Sequence, residues 1–598
     1  MTIQTRKWRA ESYETLIYSS LSTINGMTQD TEKCQTVNGA SVLLETVRRF
    51  GVDYVFMNMG IDLVSVSDAF AKFEADGIDF PKPILVPHEF VAVSAAHGYY
   101  LGTGRTQAVL VYSIPGLANA HGAIVNAFKA RVPLLLISGR TPLTEQGQFA
   151  RDLFIDWAQE SHDLAGLVRE HVKWDYTIPT SENISPAVGR ALKVANSTPR
   201  GPVYVILPRE VISKEIEAPR IVQIAKFSAA AESVPDDAVI KQIAKLLRDA
   251  EHPIIITSRL GRNPDAVRLL VELADTIATP VIEFPKLYMN FPSSHPLHAG
   301  YDPSLLLPKA DVVLVVESDA PWIPKITQPS KGATVVHLDE DPIYPDYPYW
   351  GFEIDISARG GTVLTLNRLL TEVSELMKHE SKGRNEERLK EHTQAYDELR
   401  KSWKAGVEKL SARKPIEKDW VSAQLQAVKD SNTIIVNEYD LNPAIVDFDQ
   451  PGTYFSESPA GCLGGGLGMA LGLGMAKPKA DVVACVGEGS YIFGNPIAVH
   501  WVSAAYHFPF LTVVFDDHAY SSVKRELLAL HPNGSTAKTG KYPGLELHHK
   551  IDFRKYVEAV GGVGLKVEDP AELANTLRTG LNHVRSGKQA VVDVICAP

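Results

Sequence analysis

The sequence predicts an α/β protein made of three doubly wound parallel-sheet domains, and three observations predict it. At 598 residues the chain is too long for a single core. Short, nearly continuous apolar runs recur from end to end, with amphipathic stretches of helical period between them. Breaks in composition then divide that alternation into thirds.

The apolar runs come first in the argument because they set the sheet type. They are Gln107–Tyr112, Val132–Ser138, Val203–Leu207, Pro253–Thr257, Asp311–Val316, Thr433–Val436, Asp481–Val486 and Phe510–Phe515, with Val335–Asp341 a further strand of the middle third. Runs bounded by Gly, Pro or Asp and apolar on consecutive residues are expected for parallel strands covered on both faces. Between them Gly39–Phe50, Asp237–Ala250 and Pro264–Ala278 read as helices. Strand and helix in alternation specify right-handed crossovers and doubly wound sheets.

The boundaries follow from composition. Residues 1–36 are polar and read as a tail. A first domain covers 37–215, and a Pro- and Ala-rich passage, Glu217–Pro235, leads to a central domain at 236–375. Residues 376–418 contain HESKGRNEERLKEHTQ and read as a solvated helical linker. A third domain fills 419–598.

The totals exclude several functions. A net charge of −11 with no basic block argues against nucleic acid as a partner. No apolar run reaches the roughly 18–20 residues that a membrane span requires. Arg6, Lys7 and Arg9 precede no apolar stretch, so the start is not a secretory signal, although an organelle-targeting reading of residues 1–30 stays open. Cys34, Cys462, Cys485 and Cys596 form neither a disulfide framework nor a metal-ligand spacing. Cys485 and Cys596 read as buried strand residues. A reducing compartment, by default the cytoplasm, and a small-molecule substrate are expected.

The segment Asp481–Lys524 carries the chemistry. One apolar strand ends in Gly487, Glu488, Gly489 and Ser490, and the next ends in Asp516 and Asp517. Glycines at a strand's C-terminal end let the backbone approach a ligand, and a following helix offers free N–H groups to phosphate. Acidic side chains on two neighbouring strand tips can share one hard cation with phosphate oxygens.

At these residues the chain resembles the thiamine-diphosphate family that includes acetolactate synthase and benzoylformate decarboxylase. The likeness runs from about Ser41 to Ile595. It implies that the three domains are, in order, pyrimidine-binding, central and diphosphate-binding. The family signature, Gly-Asp-Gly followed by Asn-Asn, falls on Gly487–Gly489 and Asp516–Asp517. By the resemblance Glu488, Asp517 and Ala519 are metal ligands, for Mg²⁺ or a cation such as Ca²⁺, and Gly487, Gly489, Ser490, Tyr491 and Asp440 bind the cofactor. Pro87–His88–Glu89 before AVSAAHGYYLGTG matches the catalytic glutamate segment, so Glu89 is the carboxyl implied to hydrogen-bond the aminopyrimidine N1′. Gly461, Cys462 and Leu463 match the loop on which a bulky side chain, here Leu463, props the cofactor into its bent shape. Asn58, Met59, Gly60, Tyr112 and Ser113 fall at the family's substrate pocket. A site shared between subunits, hence a homodimer or homotetramer, is also implied. FAD is not expected in the central domain, where Asp319–Pro324 looks like flavin-free relatives.

The match departs from the family where charge matters most. Glu488 replaces Asp, Asp517 replaces Asn, and Asp440 stands where relatives often carry a hydroxyl. Beside a diphosphate, each uncompensated pair at about 4 Å costs up to several kcal/mol at intermediate dielectric. Protonation of Asp517, compensation by Lys524 or Arg525, a cation with more ligand sites, or loss of cofactor binding are the ways out. Tyr112 in place of the His of decarboxylase relatives removes one proton carrier. His121 and His518 read as structural. The function implied is carbon–carbon bond chemistry on a 2-oxo acid, by decarboxylation, carboligation or both. A non-decarboxylating lyase or hydrolase with the same cofactor, and a catalytically silent binding or regulatory homologue, remain alternatives.

Overall fold

The computed structural model describes residues 36–378, 382–547 and 549–598. The polar tail and Cys34 lie outside the described residues. In the first third, Tyr54–Asn58 (β1), Lys82–Leu85 (β2), Gln107–Val111 (β3), Leu134–Arg140 (β4), Asp175–Thr177 (β5) and Val203–Pro208 (β6) form a parallel sheet in the order β2-β1-β3-β4-β6-β5. Every residue of β3 and β6 is buried, the pattern the apolar runs predict for strands with helices on both faces. Two helices of this domain matter below, Glu89–Thr103 (α1) and Ile114–Lys129 (α2). Val37–Asn38 pairs antiparallel with Glu215–Ile216, tying the two ends of the domain together.

The central sheet is built from Pro253–Thr257 (β7), Val281–Glu283 (β8), Val312–Val316 (β9), Thr334–Asp339 (β10) and Ile356–Arg359 (β11), all parallel, in the order β8-β7-β9-β10-β11. Its strand-end crevice is filled by the protein's own side chains. Arg259 reaches Tyr344 at 3.0 Å, Asp339 at 3.3 Å and Asp319 at 3.4 Å. Arg131, from the end of α2 in the first domain, enters the same cluster and bonds Asp339 at 2.6 Å.

The charged stretch forms a long helix, Lys382–Val407 (α3), but it is not merely solvated. Arg388 is buried, and its guanidinium donates to the carbonyls of Ile277 and Ala250, each at 2.8 Å. Those carbonyls close the helices Pro264–Ile277 and Asp237–Asp249, where cations and donors are favoured. Arg400 of α3 pairs with Asp447 of the third domain. A charge run read from composition hides such docking, because one arginine can bury its head where carbonyls wait.

The third sheet comprises Thr433–Glu438 (β12), Tyr454–Ser456 (β13), Asp481–Gly487 (β14), Leu511–Asp516 (β15), Val563–Val567 (β16) and Ala590–Ile595 (β17). These strands are parallel in the order β13-β12-β14-β15-β17-β16. The order reverses between β12 and β14, and in open α/β sheets ligands settle outside the strand ends at such a switch. Cys485 lies in β14 and Cys596 just beyond β17, both buried.

The first and third domains share one apolar core, which includes Val91 and Ala95 of α1 together with Leu467 and Ala470 of the helix Gly465–Ala476. The two helices touch backbone to backbone. A Cβ on Gly472 would sit 1.9 Å from the Ala95 carbonyl oxygen, and one on Gly98 would sit 2.1 Å from that of Met469. Only glycine permits that approach.

Candidate functional site

Three strand tips of the third sheet converge. β12 runs out into Tyr439 and Asp440, β14 into Gly487 and Glu488, and β15 into Asp516 and Asp517. Of these, Tyr439, Asp440, Gly487, Glu488 and Asp517, together with Leu463, Ser490 and Tyr520, line a cavity of about 460 Å³. The floor has no room for side chains: a Cβ on Gly487 would lie 2.6 Å from Asp440 Oδ2, and one on Gly489 would lie 2.8 Å from the Tyr520 ring. Glu488 opens a short helix, Glu488–Phe493, and its Oε1 accepts from the Ala519 N–H at 2.8 Å. Asp517 Oδ1 accepts from the same N–H at 3.0 Å, and its Oδ2 accepts from the Ser521 hydroxyl at 2.7 Å. Burial and the neighbouring Asp517 charge push the Glu488 carboxyl up to about 8.

The cation in direct contact with these acids is Lys418, first residue of the helix Lys418–Val428, while Arg525 acts on Asp440 through its charge. The lysine Nζ lies 2.7 Å from Asp517 Oδ2 and 2.7 Å from Asp440 Oδ1. Burial works to lower its pKa, yet the charges and hydrogen bonds of Asp440 and Asp517 prevail and raise it. Burial raises the Asp440 carboxyl, with Lys418 opposing. Lys524 instead lies over the Tyr542 ring.

The loop of Gly461, Cys462 and Leu463 is fixed from two sides. Gly461 has φ 64° and Gly464 has φ 87°, left-handed values that glycine adopts freely. Glu438, fully buried at the end of β12, accepts from the Gly464 and Gly466 N–H groups at 2.6 and 2.8 Å, placing a carboxylate at the start of the helix Gly465–Ala476. From the first domain, Asn126 of α2 donates to the Cys462 carbonyl at 2.8 Å and accepts from its N–H at 3.2 Å. Beside Gly461 the Tyr439 hydroxyl hydrogen-bonds to Glu457, whose burial, together with the Glu438 charge, pushes it up to about 8. Among the described residues Glu457 Oε2 has no hydrogen-bond partner.

Glu89 is 5% exposed at the start of α1. Its Oε1 accepts from the Asn58 amide at 2.9 Å and its Oε2 from the Asn119 amide at 3.1 Å. Gly116 leaves room for it, since a Cβ there would stand 3.0 Å from Oε1. Gly60 is required by Tyr112, whose ring carbon would lie 1.7 Å from an added Cβ, and the Tyr112 hydroxyl bonds Gln159. The buried Ser113 hydroxyl has no hydrogen-bond partner among the described residues, and Met59 packs at the edge of the first domain's own core. Among the described residues no hydrogen bond or ion pair joins Glu89 to the third domain's cradle, whose cavity is lined by residues between Lys418 and Val523.

The fit to the implied cofactor is mixed in an informative way. The glycine floor suits an approaching diphosphate, with Ser490 on the same cavity wall and its hydroxyl hydrogen-bonded to Glu438. Carboxylate oxygens of Glu488 and Asp517 are hard donors suited to a divalent ion. Among the described residues no three His, Cys, Asp or Glu side chains gather as a self-sufficient metal cage, so an ion there would need phosphate and main-chain oxygens as well. Tyr491 stands apart from the cavity. It is fully buried, with its hydroxyl 2.8 Å from His500 Nε2. His121 meets His171 at 3.2 Å, and His518 pairs with Asp516 at 2.8 Å.

Two parallel-sheet domains of this kind, flanking a third and carrying a glycine- and acid-lined cradle at strand ends, define a cofactor-dependent α/β enzyme. Residues 37–166, 240–356 and 441–594 match, respectively, the N-terminal TPP binding, central and C-terminal TPP binding domains of the thiamine pyrophosphate enzymes, and the chain belongs to that family. It is 25% identical to the acetolactate synthase isozyme 3 large subunit of Escherichia coli K12, over 94% of this chain and 95% of that one. It is also 25% identical to benzoylformate decarboxylase of Pseudomonas aeruginosa, over 92% of this chain and 97% of that one. Among solved structures, the fold matches benzoylformate decarboxylase from Polynucleobacter necessarius with a TM-score of 0.74 at 20% identity, covering 94% of this chain and 98% of that one. A thiamine diphosphate-dependent 4-hydroxybenzoylformate decarboxylase of Rhodococcus jostii RHA1 matches with a TM-score of 0.72 at 22% identity, covering 94% and 99%.

Proposed function

We propose that the protein is a thiamine-diphosphate-dependent enzyme acting on a 2-oxo acid, as a decarboxylase, a carboligase or both. The observation that carries this reading is the convergence of Asp440, Gly487, Glu488 and Asp517 at one switch point, floored by glycine. The bound coenzyme supplies the electron sink that a 2-oxo acid needs to lose CO₂.

The protein's own residues do the rest. Gly487, Gly489 and Ser490 would admit and hold the diphosphate, together with Asp440. Glu488, Asp517 and the main chain of Ala519 would take a divalent ion, Mg²⁺ or Ca²⁺. Leu463 would shape the coenzyme, and Gly461 and Cys462 would bind its pyrimidine. Glu89, aimed by Asn58 and Asn119, holds the proton exchanged with the pyrimidine nitrogen. Met59, Gly60, Tyr112 and Ser113 shape the substrate pocket. Because the contacts of Glu89 stay within the first domain, a second copy of the chain completes the site, so the working form is a homodimer or homotetramer. The central crevice, filled by Arg131, Arg259, Asp319, Asp339 and Tyr344, supports a domain without FAD. Among the described residues no helix is long and apolar enough to cross a membrane. We assign the protein to the cytoplasm on its few, scattered cysteines.

The test is product analysis with pyruvate and with phenylpyruvate, each with and without an aldehyde acceptor, in the presence of thiamine diphosphate and Mg²⁺. Released CO₂ with an aldehyde or a 2-hydroxy ketone is expected. The acid-rich cradle favours a second reading, a silent binding or regulatory protein on the same scaffold. No saturable binding of thiamine diphosphate at millimolar concentration, with Mg²⁺ present, would select it.

A further inference from the structure

We propose that Lys418 is a diphosphate-binding residue, and that Asp440, Lys418 and Asp517 work as one unit that delivers its ammonium to the cradle. The inference deepens the reading above and rests on it. The Lys418 ammonium has three N–H donors. Two are engaged by Asp517 Oδ2 and Asp440 Oδ1, each at 2.7 Å, and the side chain lines the same cavity as Gly487, Gly489 and Ser490. An ionised carboxylate cannot donate to a phosphate oxygen, so Asp440 and Asp517 do not serve the diphosphate by themselves. Held between them, Lys418 gives that corner of the cavity a donor and a positive charge.

Its place in the fold points the same way. Lys418 opens the helix Lys418–Val428, where the helix dipole favours an acid and disfavours a cation. Local helix chemistry therefore gives no reason for a lysine there, whereas the two carboxylates do. The lysine is shared with a second cavity of about 580 Å³ on the outer side, which also carries Arg525. Arg525 is close enough to act electrostatically on Asp440, and so extends the positive side of the unit.

Calorimetric titration of the full-length protein with thiamine diphosphate and Mg²⁺, alongside thiamine alone, tests this. For Lys418→Met the affinity for thiamine diphosphate should fall at least tenfold, because two carboxylates then face the diphosphate without compensation, while thiamine affinity stays within about twofold. The triple variant Lys418→Met, Asp440→Asn, Asp517→Asn should recover part of that loss, as coupled charges do, yet stay about threefold or more weaker than the parent because the ammonium donor is gone. Should Lys418→Met alone fail to fold, recovery of folding and of cofactor binding in the triple variant supports the unit equally. Parent-like affinity in Lys418→Met, or a triple variant that recovers nothing, overturns it. A parent protein that binds no thiamine diphosphate at millimolar concentration would instead overturn the functional reading beneath.

Discussion

Asn126 grips the main chain of Cys462 from both sides, donating to its carbonyl at 2.8 Å and accepting from its N–H at 3.2 Å, across 336 residues of sequence. The glycine loop of the third domain is thus shaped by a first-domain helix of the same chain. Asn126→Leu should lower stability by about 1–3 kcal/mol, since two main-chain groups lose their partner. It should also weaken thiamine diphosphate binding roughly tenfold. Denaturant midpoints and calorimetric titration measure the two effects, and an unchanged affinity would show that the loop holds its shape unaided.

Glu89→Gln keeps an acceptor for only one of the amides of Asn58 and Asn119, and it removes the exchangeable proton. Turnover should drop roughly 100- to 10,000-fold. Cofactor affinity should change only a few-fold. Full turnover in this variant would remove Glu89 from the chemistry.

Glu457, pushed up to about 8, makes stability depend on pH. The folded state holds a proton there that the unfolded chain gives up in the ordinary carboxylate range. Its stabilising effect is therefore complete in acid, is lost as pH rises toward 8, and is then level. The slope for one such group is at most about 1.4 kcal/mol per pH unit. Glu457→Gln should flatten the fall in denaturation midpoint between pH 6 and 8; a fall as steep as the parent's would assign the dependence to other groups.

Gly472→Ala places a methyl group 1.9 Å from the Ala95 carbonyl oxygen. Two backbones must part to admit it, at about 1–3 kcal/mol or more. The midpoint of chemical denaturation should fall with its slope unchanged. A variant as stable as the parent would mean that the helix pair slides apart at little cost.

The sheets were legible because their signal is local. Runs such as Pro253–Thr257 need only be apolar on consecutive residues, and the structure makes a strand of that same span. The strand-tip acids were legible for the same reason: Gly487–Ser490 and Asp516–Asp517 each follow such a run. Lys418 was not. It sits in IEKDW at the end of a charged stretch, like many solvated lysines, and only the approach of β12 and β15 shows what it meets. Tyr491 misled for the opposite reason. One residue beyond a true strand-tip motif, it turns on its short helix toward His500 and the core. Arg388 shows the same limit, since nothing in a run of charges marks the one member that finds two helix ends.

Arg131 leaves the first sheet's helix layer and bonds Asp339 inside the central crevice, while α1 and the helix Gly465–Ala476 bury one continuous core between first and third domains. Both junctions are tied by buried contacts that one domain would have to break in order to melt while the others persist. The three sheets should therefore denature as a single cooperative unit, giving one calorimetric transition whose van't Hoff and measured enthalpies agree, in a chain whose length alone would suggest several.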